Sequence, residues 1–251
     1  MKQNSISAFF PVFNEERNIR TCILSVKGYL DRRFKDYEIL VISDGSTDNT
    51  NKIVAELVKK DKRIKLFARK ERLGYGAGLR AGFVHASYDL IFYTDGDNQF
   101  NIKDLDRLLS MLSSYDIISA YRVNRKDPLM RIFIANVYNM LIRILFNLKI
   151  RDIDASFKVY RKEIFKNMRL VTNTGLTDAE VLIKAQRQGF KIGQIGVTHY
   201  PRIHGRTSYE IGRRNKILAF VKPNVVIDIL REIKTLWLDL RKYEGVNRTN
   251  I

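Results

Sequence analysis

The sequence predicts an α/β fold in which a mostly parallel β-sheet is flanked by helices. In the first half of the chain, five short runs rich in β-branched and aromatic residues alternate with segments of helical periodicity. Most of these runs are continuously apolar, as expected for strands that are covered on both faces. The 251 residues, 45% of them hydrophobic, are enough to bury a substantial core.

The predicted elements follow one another in a regular order. Strands are expected at 5–10, 37–43, 63–68, 88–94 and 115–121, and helices near 15–30, 47–60, 76–87 and 103–113. In the second half, a helix is expected from Pro128 to about 148, a strand and helical turn at 156–165, a helix at 177–190 and a strand at 191–200. A long apolar and basic helix is expected from Asn215 to about Tyr243. We therefore expect one main domain over residues 1–210 and a C-terminal amphipathic helical segment over 211–251.

The charge and cysteine content limit the partners and the location of the chain. Lys and Arg number 45 against 27 Asp and Glu, so the net charge is +18, which favours polyanionic partners such as nucleic acid, anionic lipid or phosphorylated ligands. Cys22 is alone and the N-terminal residues lack a secretory pattern, so we expect a cytoplasmic protein. Arg131 and Arg143 interrupt the apolar stretch 129–148, which argues against a spanning helix and leaves a helix lying on a membrane surface.

Four polar loops follow the first four predicted strands. Their sequences are PVFNEE (11–16), DGSTDNT (44–50), RKERLGYGAG (69–78) and DGDNQF (95–100). Each loop alone could be a helix N-cap, and Ser46, Thr47 and Asp48 are good capping residues. The carboxyl ends of parallel strands meet at one edge of a sheet, where ligands bind, so four such loops together indicate a ligand site.

The fourth loop carries Asp95, Asp97 and Gln99 at alternating positions. These side chains offer the hard oxygen ligands that Mg²⁺ and Mn²⁺ prefer, and a cation there would stabilise negative charge on a departing diphosphate. Cys22 and the three histidines show no zinc spacing. The chain has no GxSxG motif of α/β-hydrolases and no GxxxxGK[ST] motif of P-loop enzymes. Its glycine-rich loop follows the third predicted strand, whereas the dinucleotide-binding motif follows the first.

Several segments together resemble a known family. SAFFPVFNEERNI, YEILVISDGSTDNT, RLGYGAGLRAGF and DLIFYTDGDNQF, in this order and spacing, look like family 2 glycosyltransferases of GT-A fold. The later segments DIISAYRVNRKDPLMR, RDIDASFKVYR and HYPRIHGRTSY are similar to the branch that includes dolichyl- and polyprenyl-phosphate sugar synthases. The resemblance covers about residues 5–210 and implies a catalytic domain over that part.

The resemblance implies roles for individual residues. The nucleotide sugar would be bound by Pro11, Asn14, Glu15, Asp44, Gly74 and Asp95, and the metal and diphosphate by Asp95, Asp97 and Gln99. The family segments GxR, SGF and RxxGxS correspond to Tyr121–Arg122, to Ala155–Ser156–Phe157, and to Arg202, Gly205 and Thr207–Ser208.

The nature of the acceptor stays open between two alternatives. A lipid phosphate is already an anion and needs no general base, whereas a saccharide hydroxyl must lose a proton as it attacks. A phosphate acceptor would be held by Arg122, Arg131, Ser156, Arg202 and Arg206. For a hydroxyl acceptor, Asp178 or Glu180 would be the base, although both are also suited to the N-terminus of a helix.

We expect an inverting, metal-dependent transferase that uses Mg²⁺ or Mn²⁺ and moves a sugar from a GDP- or UDP-sugar to a polyprenyl or dolichyl phosphate. The expected catalytic groups are Asp97, Arg122 and Arg202, with Asp178 or Glu180 in the hydroxyl alternative. The expected location is the cytoplasmic face of a membrane, with peripheral contact through 129–148 and 215–243, where Trp237 would lie at the interface. The alternative is that 129–148 is a core helix and that 215–243 packs on the domain or on a partner chain. A basic nucleic-acid-binding protein is a distant alternative, since the chain carries no recognised nucleic-acid motif.

Overall fold

The computed structural model describes residues 3–123, 125, 127, 129–202, 210–211, 220–221 and 223–248. Its main sheet has seven strands in the order β3-β2-β1-β4-β6-β5-β7. The strands are β1 (Gln3–Val12), β2 (Phe34–Asp44), β3 (Ile64–Arg69), β4 (Leu90–Thr94), β5 (Ile117–Val123), β6 (Phe157–Arg161) and β7 (Ile192–Thr198). β6 runs antiparallel to both of its neighbours, β4 and β5, and all other pairs are parallel. The predicted mostly parallel α/β class is confirmed.

The helices occupy the connections that the sequence indicates. They are α1 (Ile19–Arg33), α2 (Thr50–Lys60), α3 (Tyr75–His85), α4 (Leu105–Leu109), α5 (Leu129–Phe146), α6 (Leu176–Arg187) and α7 (Pro223–Arg248). Two short 3-10 helices, Ile102–Asp104 and Lys162–Phe165, precede α4 and follow β6. The predicted elements from 5 to 200 are confirmed, with ends shifted by a few residues.

The start of the last helix was predicted wrongly. The helix expected from Asn215 begins at Pro223, and two residues before it, Phe220–Val221 (β9), pair with Glu210–Ile211 (β8) as a short antiparallel ribbon. Proline fits the first position of a helix because its missing N–H has no intrahelical partner there. It also disfavours helical geometry in the preceding residue, so Pro223 marks the boundary.

The core is divided between the two faces of the sheet. Because successive side chains of a strand point to opposite faces, Phe10 of β1 packs with α1, α2 and α4, while Phe9 packs with α3, α5 and α6. Phe9 and Phe10 are both completely buried. The sheet is therefore covered on both faces, and its carboxyl edge stays available for the loops.

Helices α5 and α7 each have one packed face and one exposed face. α5 packs through Asn139, Ile142 and Phe146, and the Asn139 Oδ1 accepts a hydrogen bond from the Ile153 amide at 3.0 Å. Its outward stripe is apolar and consists of Leu129, Phe133, Val137, Met140 and Ile144. By length and composition α5 could cross a membrane, and only 17% of that 18-residue window is buried.

α7 packs on α6 through Leu236 and Leu240, and its Asp239 carboxylate lies 2.6 Å from Nζ of Lys184. The opposite side of α7 exposes apolar residues, among them Ile227, Leu230, Trp237 and Leu238. Among the described side chains of α7, those that pack on the rest of the chain therefore lie on one face of the helix.

Candidate active site

Hydrogen bonds join the loops after β1 and β2 directly to each other. Asn14 has a left-handed backbone with φ of 56°, which asparagine tolerates better than most residues. Its amide donates to Oγ of Ser46 at 3.1 Å, and its Oδ1 accepts from the Thr47 amide at 2.7 Å. The Glu15 amide donates to Oγ1 of Thr50 at 2.8 Å. Ser46, Thr47 and Thr50 therefore fix the first loop, while the N-cap of α2 is Asn49, whose side chain makes no capping hydrogen bond.

Asp44, at the end of β2, anchors the glycine-rich loop after β3. Its carboxylate accepts hydrogen bonds from the amides of Leu73 at 3.0 Å and Gly74 at 2.8 Å, and pairs with Arg69 at 3.2 Å. Gly74 has φ of 96°, a conformation that suits glycine, and it precedes α3. Pro11, the other residue expected on the nucleotide side, lies opposite Ile42 in the β1–β2 pair.

Hydrogen bonds connect the acidic loop after β4 to residues of other elements. The Asp95 Oδ2 accepts a hydrogen bond from Oγ of Ser156 at 2.5 Å, and its Oδ1 accepts one from the Tyr75 hydroxyl at 3.2 Å. The Asp97 Oδ1 accepts one from the Gln99 amide at 3.2 Å. Gln99 donates through Nε2 to the Tyr200 carbonyl at 3.0 Å, which leaves its Oε1 as the oxygen suited to a cation.

Two acidic groups are buried side by side in this loop. Burial and the nearby Asp97 raise the pKa of Asp95 to about 7, against the effect of the Ser156 hydrogen bond. Burial also raises the pKa of Asp97, although Arg202 opposes it. Keeping both groups ionised is costly without a cation between them, and a divalent ion would remove that cost. Among the described residues, no three His, Cys, Asp or Glu side chains are placed to hold a metal ion together, so Asp95, Asp97, Gln99 and substrate oxygens would have to share the ligation.

Arg202 connects the first and fourth loops. One of its nitrogens is in ion-pair contact with Glu15, and its Nη1 lies 3.5 Å from Oδ2 of Asp97. Burial raises the pKa of Glu15, and the Arg202 charge opposes this increase. Arg202 therefore joins Glu15 of the first loop to Asp97 of the fourth, and a guanidinium in this place is suited to bind phosphate oxygens.

Four arginines are expected to bind the acceptor, and the structure describes three of them, Arg122, Arg131 and Arg202. Arg122 forms a bidentate pair with Asp152, with Nε and Nη2 at 2.8 and 2.7 Å from its oxygens. Arg131 pairs with Asp127 at 3.1 Å, and its charge opposes the increase that burial causes in the pKa of Asp97. Arg131 and Arg202 therefore both act on Asp97, whereas the partners of Arg122 are Asp152 and Asp127. Arg206, with Gly205 and Thr207–Ser208, lies outside the described residues.

The two candidate bases on α6 point in different directions, because residues two apart on a helix are about 200° apart. Asp178 pairs with Nζ of Lys158 at 2.9 Å and accepts from the Tyr93 hydroxyl at 3.1 Å. Glu180 accepts from the amides of Val171 and Thr172 at 2.7 and 2.9 Å. The structure thus brings Asp178 close to the acidic loop, through tyrosine hydroxyls, and turns Glu180 away from it.

Several residues of the site were not expected from the sequence. The Tyr75 and Tyr93 hydroxyls are in hydrogen-bond contact and connect Asp95 to Asp178, which pairs with the fully buried Lys158. His199 is also buried, and its Nδ1 has no hydrogen-bond partner among the residues that the structure describes. Burial lowers the pKa of His199 to about 4. One signal was present in the sequence, since Lys158 stands between the apolar residues Phe157 and Val159.

Comparison with known proteins establishes the family of the chain. The sequence model described as "Glycosyl transferase family 2" matches residues 7–169, which is more than half of the chain. The chain belongs to glycosyl transferase family 2. This membership agrees with the resemblance of its four loops and favours a transferase over the nucleic-acid-binding alternative.

The relatives of the chain include enzymes named for lipid phosphates. The dodecaprenyl-phosphate galacturonate synthase of Rhizobium johnstonii is 29% identical over 85% of this chain and 64% of its own length. A dolichyl-phosphate beta-glucosyltransferase of Trichomonas vaginalis, ALG5D, is 27% identical over 90% of this chain and 72% of its own. The glycosyltransferase AglD of Haloferax volcanii is 29% identical over 83% of this chain, which spans only 35% of that protein.

A solved structure supports the fold. Glucosyl-3-phosphoglycerate synthase from Mycobacterium tuberculosis, in complex with Mn²⁺, UDP and glucosyl-3-phosphoglycerate, aligns with a TM-score of 0.63 at 18% identity. The alignment covers 80% of this chain and 73% of that one. A crystal structure of the same synthase contains Mg²⁺ and UDP. At this identity the likeness concerns the fold, which is of the GT-A type expected from the sequence.

Proposed function

We propose that this chain is an inverting, metal-dependent glycosyltransferase that moves a sugar from a nucleotide sugar to the phosphate of a polyprenyl or dolichyl lipid. The choice of acceptor rests on one observation: arginines act on Asp97, whereas the two candidate bases are already bound to other groups. Arg202 contacts Asp97 directly, and the charge of Arg131 acts on Asp97. The carboxylates of Asp178 and Glu180 are held by buried partners. Such a site suits an acceptor that arrives as an anion and needs no base.

The donor side would be formed by the first three loops. Asn14, Glu15 and Asp44 hold these loops together, and the glycine-rich turn at Gly74 lets the backbone approach a ligand closely. A nucleoside diphosphate bound there would direct its phosphates toward Asp95 and Asp97. The base could be guanine or uracil, and both are included in the test below.

The chemistry follows from the charges around the acidic loop. A bound Mg²⁺ or Mn²⁺, held by Asp95, Asp97 and Gln99, would stabilise the negative charge that develops on the diphosphate. Arg202 would move from Glu15 and Asp97 onto phosphate oxygens. Arg122 and Arg131, with Ser156, would orient the acceptor phosphate, whose oxygen forms a bond to the anomeric carbon as the bond to the diphosphate oxygen breaks. No proton has to be transferred, and attack opposite to the leaving group inverts the anomeric centre.

Membrane contact would bring the enzyme to its acceptor. The exposed apolar stripe of α5 includes Phe133 and Ile144, which are 63% and 73% exposed, and such a face is suited to the boundary of a lipid bilayer. The opposite face of α5 is packed on the domain, so we propose a helix lying in the interface instead of one crossing it. With its excess of basic residues, the chain would bind the anionic cytoplasmic face as a peripheral protein.

Release of nucleoside diphosphate by the purified protein tests this proposal. GDP- and UDP-sugars would be supplied with Mg²⁺ or Mn²⁺, with and without a short polyprenyl phosphate. We expect release with one donor that requires both the lipid phosphate and the metal, and a fall of at least about 100-fold in Asp97→Asn, as for loss of a group that stabilises transition-state charge. Asp36→Asn, which removes one exposed carboxylate from β2, is the matched control and should keep full activity.

A saccharide acceptor is the second candidate, because Asp178 is linked through Tyr93 and Tyr75 to Asp95. In that case a donor would bind but the lipid phosphate would not change the rate. Asp178→Asn would then abolish transfer to the saccharide, while Arg131→Gln would leave it near normal. The opposite pattern supports the lipid-phosphate proposal.

A further inference from the structure

Asp127 lies inside a cluster of three arginines next to the acidic loop. Its Oδ2 is 2.9 Å from Nη2 of Arg125 and 3.9 Å from Nη1 of Arg122, and its Oδ1 is 3.1 Å from Nη1 of Arg131. The Asp127 side chain is only 4% exposed. An internal carboxylate therefore occupies the centre of a site built from guanidinium groups, which match phosphate as well as carboxylate.

The cluster keeps a positive charge even with this carboxylate in place. Arg122, Arg125 and Arg131 contribute three positive charges, while Asp127 and the Asp152 partner of Arg122 contribute two negative ones. Asp154 also interacts with Arg122, but burial raises the pKa of Asp154 to about 7, so it is only partly ionised at neutral pH. Burial raises the pKa of Asp127, but the arginines outweigh it and leave the pKa below its usual range. Asp127 is thus ionised at neutral pH.

The position of the cluster matches that of an acceptor. The Arg131 charge acts on both Asp127 and Asp97. His199, whose electrostatic effect also reaches Asp127, precedes Tyr200, and the Tyr200 amide donates to the Gln99 carbonyl at 2.8 Å. An anion that replaced the Asp127 carboxylate would therefore lie beside the proposed metal ligands.

We propose that Asp127 is a specificity-determining residue that occupies the arginine cluster in place of the acceptor phosphate and is displaced by it. This inference rests on the proposed function. A phosphate monoester carries nearly two negative charges and three acceptor oxygens at neutral pH, whereas the carboxylate carries one charge and two oxygens. A phosphate can therefore displace Asp127, and an acceptor that offers only a hydroxyl or a carboxylate cannot. The residue selects acceptors by their phosphate.

Binding of inorganic phosphate tests the inference independently of catalysis. Isothermal titration calorimetry at pH 7 would compare the wild type with Asp127→Asn, which has nearly the same shape and no charge. We expect about tenfold tighter phosphate binding, because the competing charge-assisted contact is worth about 1.4 kcal/mol or more. Asp127→Glu keeps the charge and should bind phosphate as the wild type does. Asp36→Asn controls for the change in net charge and should also be unchanged.

Three results would overturn the inference. The first is that Asp127→Asn binds phosphate no more tightly than the wild type. The second is that Asp127→Glu gains as much phosphate affinity as Asp127→Asn, because the charge of residue 127 would then not control binding. Failure of Asp127→Asn to fold, seen by circular dichroism, would show that the carboxylate is a permanent structural partner of the arginines.

Failure of the proposed function gives a different signature. Farnesyl phosphate, used as a second probe with the nucleotide-sugar donor, would then stimulate no release of nucleoside diphosphate. The gain in affinity for inorganic phosphate in Asp127→Asn would nevertheless persist, and the cluster would accept the phosphate of a soluble molecule.

Discussion

Ser156 donates a hydrogen bond to Asp95 across two antiparallel strands, with Oγ and Oδ2 2.5 Å apart. β4 ends at Thr94 and β6 begins at Phe157, and these two residues are partners in the sheet. The residue after one strand therefore faces the residue before the other. This geometry places a hydroxyl from the second half of the chain on the acidic loop.

The first prediction concerns the pH dependence of metal binding. Burial and Asp97 raise the pKa of Asp95 to about 7, so a cation must displace a proton from Asp95 at lower pH. We expect the affinity for Mn²⁺ to increase with pH up to about 7 and to level off above it. Ser156→Ala removes a bond that favours the carboxylate, so the midpoint should move upward by about 0.7 pH unit, equivalent to about 1 kcal/mol.

Titration calorimetry with Mn²⁺ at several pH values would measure this midpoint. Ser110→Ala removes an exposed hydroxyl whose hydrogen bond goes to the Arg107 carbonyl and not to the acidic loop, and it serves as the control. An unchanged midpoint in Ser156→Ala would show that the Ser156 bond does not tune Asp95.

The second prediction concerns the buried ion pair between Lys158 and Asp178. Both side chains are almost completely buried and lie 2.9 Å apart, so Asp178→Asn leaves an ammonium group inside the protein without its counter-charge. We expect the free energy of unfolding to fall by about 3 kcal/mol, measured by urea denaturation at pH 7. Adding Lys158→Met should restore most of the loss, because the unpaired charge is then removed.

Asp228→Asn is the control for this experiment, since Asp228 pairs with Arg231 on the exposed side of α7. Its effect should stay below about 1 kcal/mol. Equal losses in Asp178→Asn and Asp228→Asn would contradict the importance of burial for this pair.

The third prediction compares two glycines in helices. A Cβ on Gly76 of α3 would lie 2.1 Å from Oγ1 of Thr177 and 2.7 Å from the backbone of Asn173, whereas a Cβ on Gly28 of α1 would meet no atom within 4 Å. Gly76→Ala should lower the free energy of unfolding by about 2 kcal/mol through overpacking. Gly28→Ala should raise it by about 0.5 kcal/mol, because alanine is the better helix former. Thermal denaturation of both variants measures the difference in stability. An unchanged stability of Gly76→Ala would disprove the close approach of α3 and α6.

The fourth prediction concerns the apolar stripe of α5. Phe133→Ser combined with Ile144→Ser should reduce binding to vesicles with anionic lipid by about tenfold or more, since two large apolar side chains would no longer enter the bilayer. Both side chains are exposed, so the melting temperature should stay within about 2 °C. Sedimentation with sucrose-loaded vesicles gives the affinity. Val84→Ser, at an equally exposed position on α3, should bind like the wild type, and equal losses in all variants would argue against a specific α5 contact.

The part of the site that follows parallel strands could be predicted from the sequence. Asp44 ends β2, and Gly74, Asp95 and Asp97 follow β3 and β4; the carboxyl ends of such strands must meet at one edge. The local signals were strong, because each loop combines turn residues with an apolar run before it. The loops and the strands were therefore located from short stretches of sequence.

The rest depends on contacts between residues that are distant in the sequence. Lys158 and Tyr93 reach Asp178 only because β6 is inserted antiparallel between β4 and β5, and no local pattern indicates that insertion. Asp127 lies in a polar segment that looks like an ordinary turn, so its arginine partners could not be anticipated. The start of α7 is different, because Pro223 itself indicates the first residue of a helix. The apolar residues before it look like part of the same helix, although Phe220 and Val221 form β9.

The contacts of Glu232 in α7 affect the order in which parts of the protein fold during synthesis. Its carboxylate accepts hydrogen bonds from the amides of Asn173 at 2.7 Å and Thr174 at 3.1 Å, and the Asn173 carbonyl accepts one from the Gly76 amide at 2.9 Å. A chain emerging from the ribosome can fold its N-terminal strands early. The support behind the glycine-rich loop is therefore completed only after residue 232 has been synthesised, well after the strands that carry the loop.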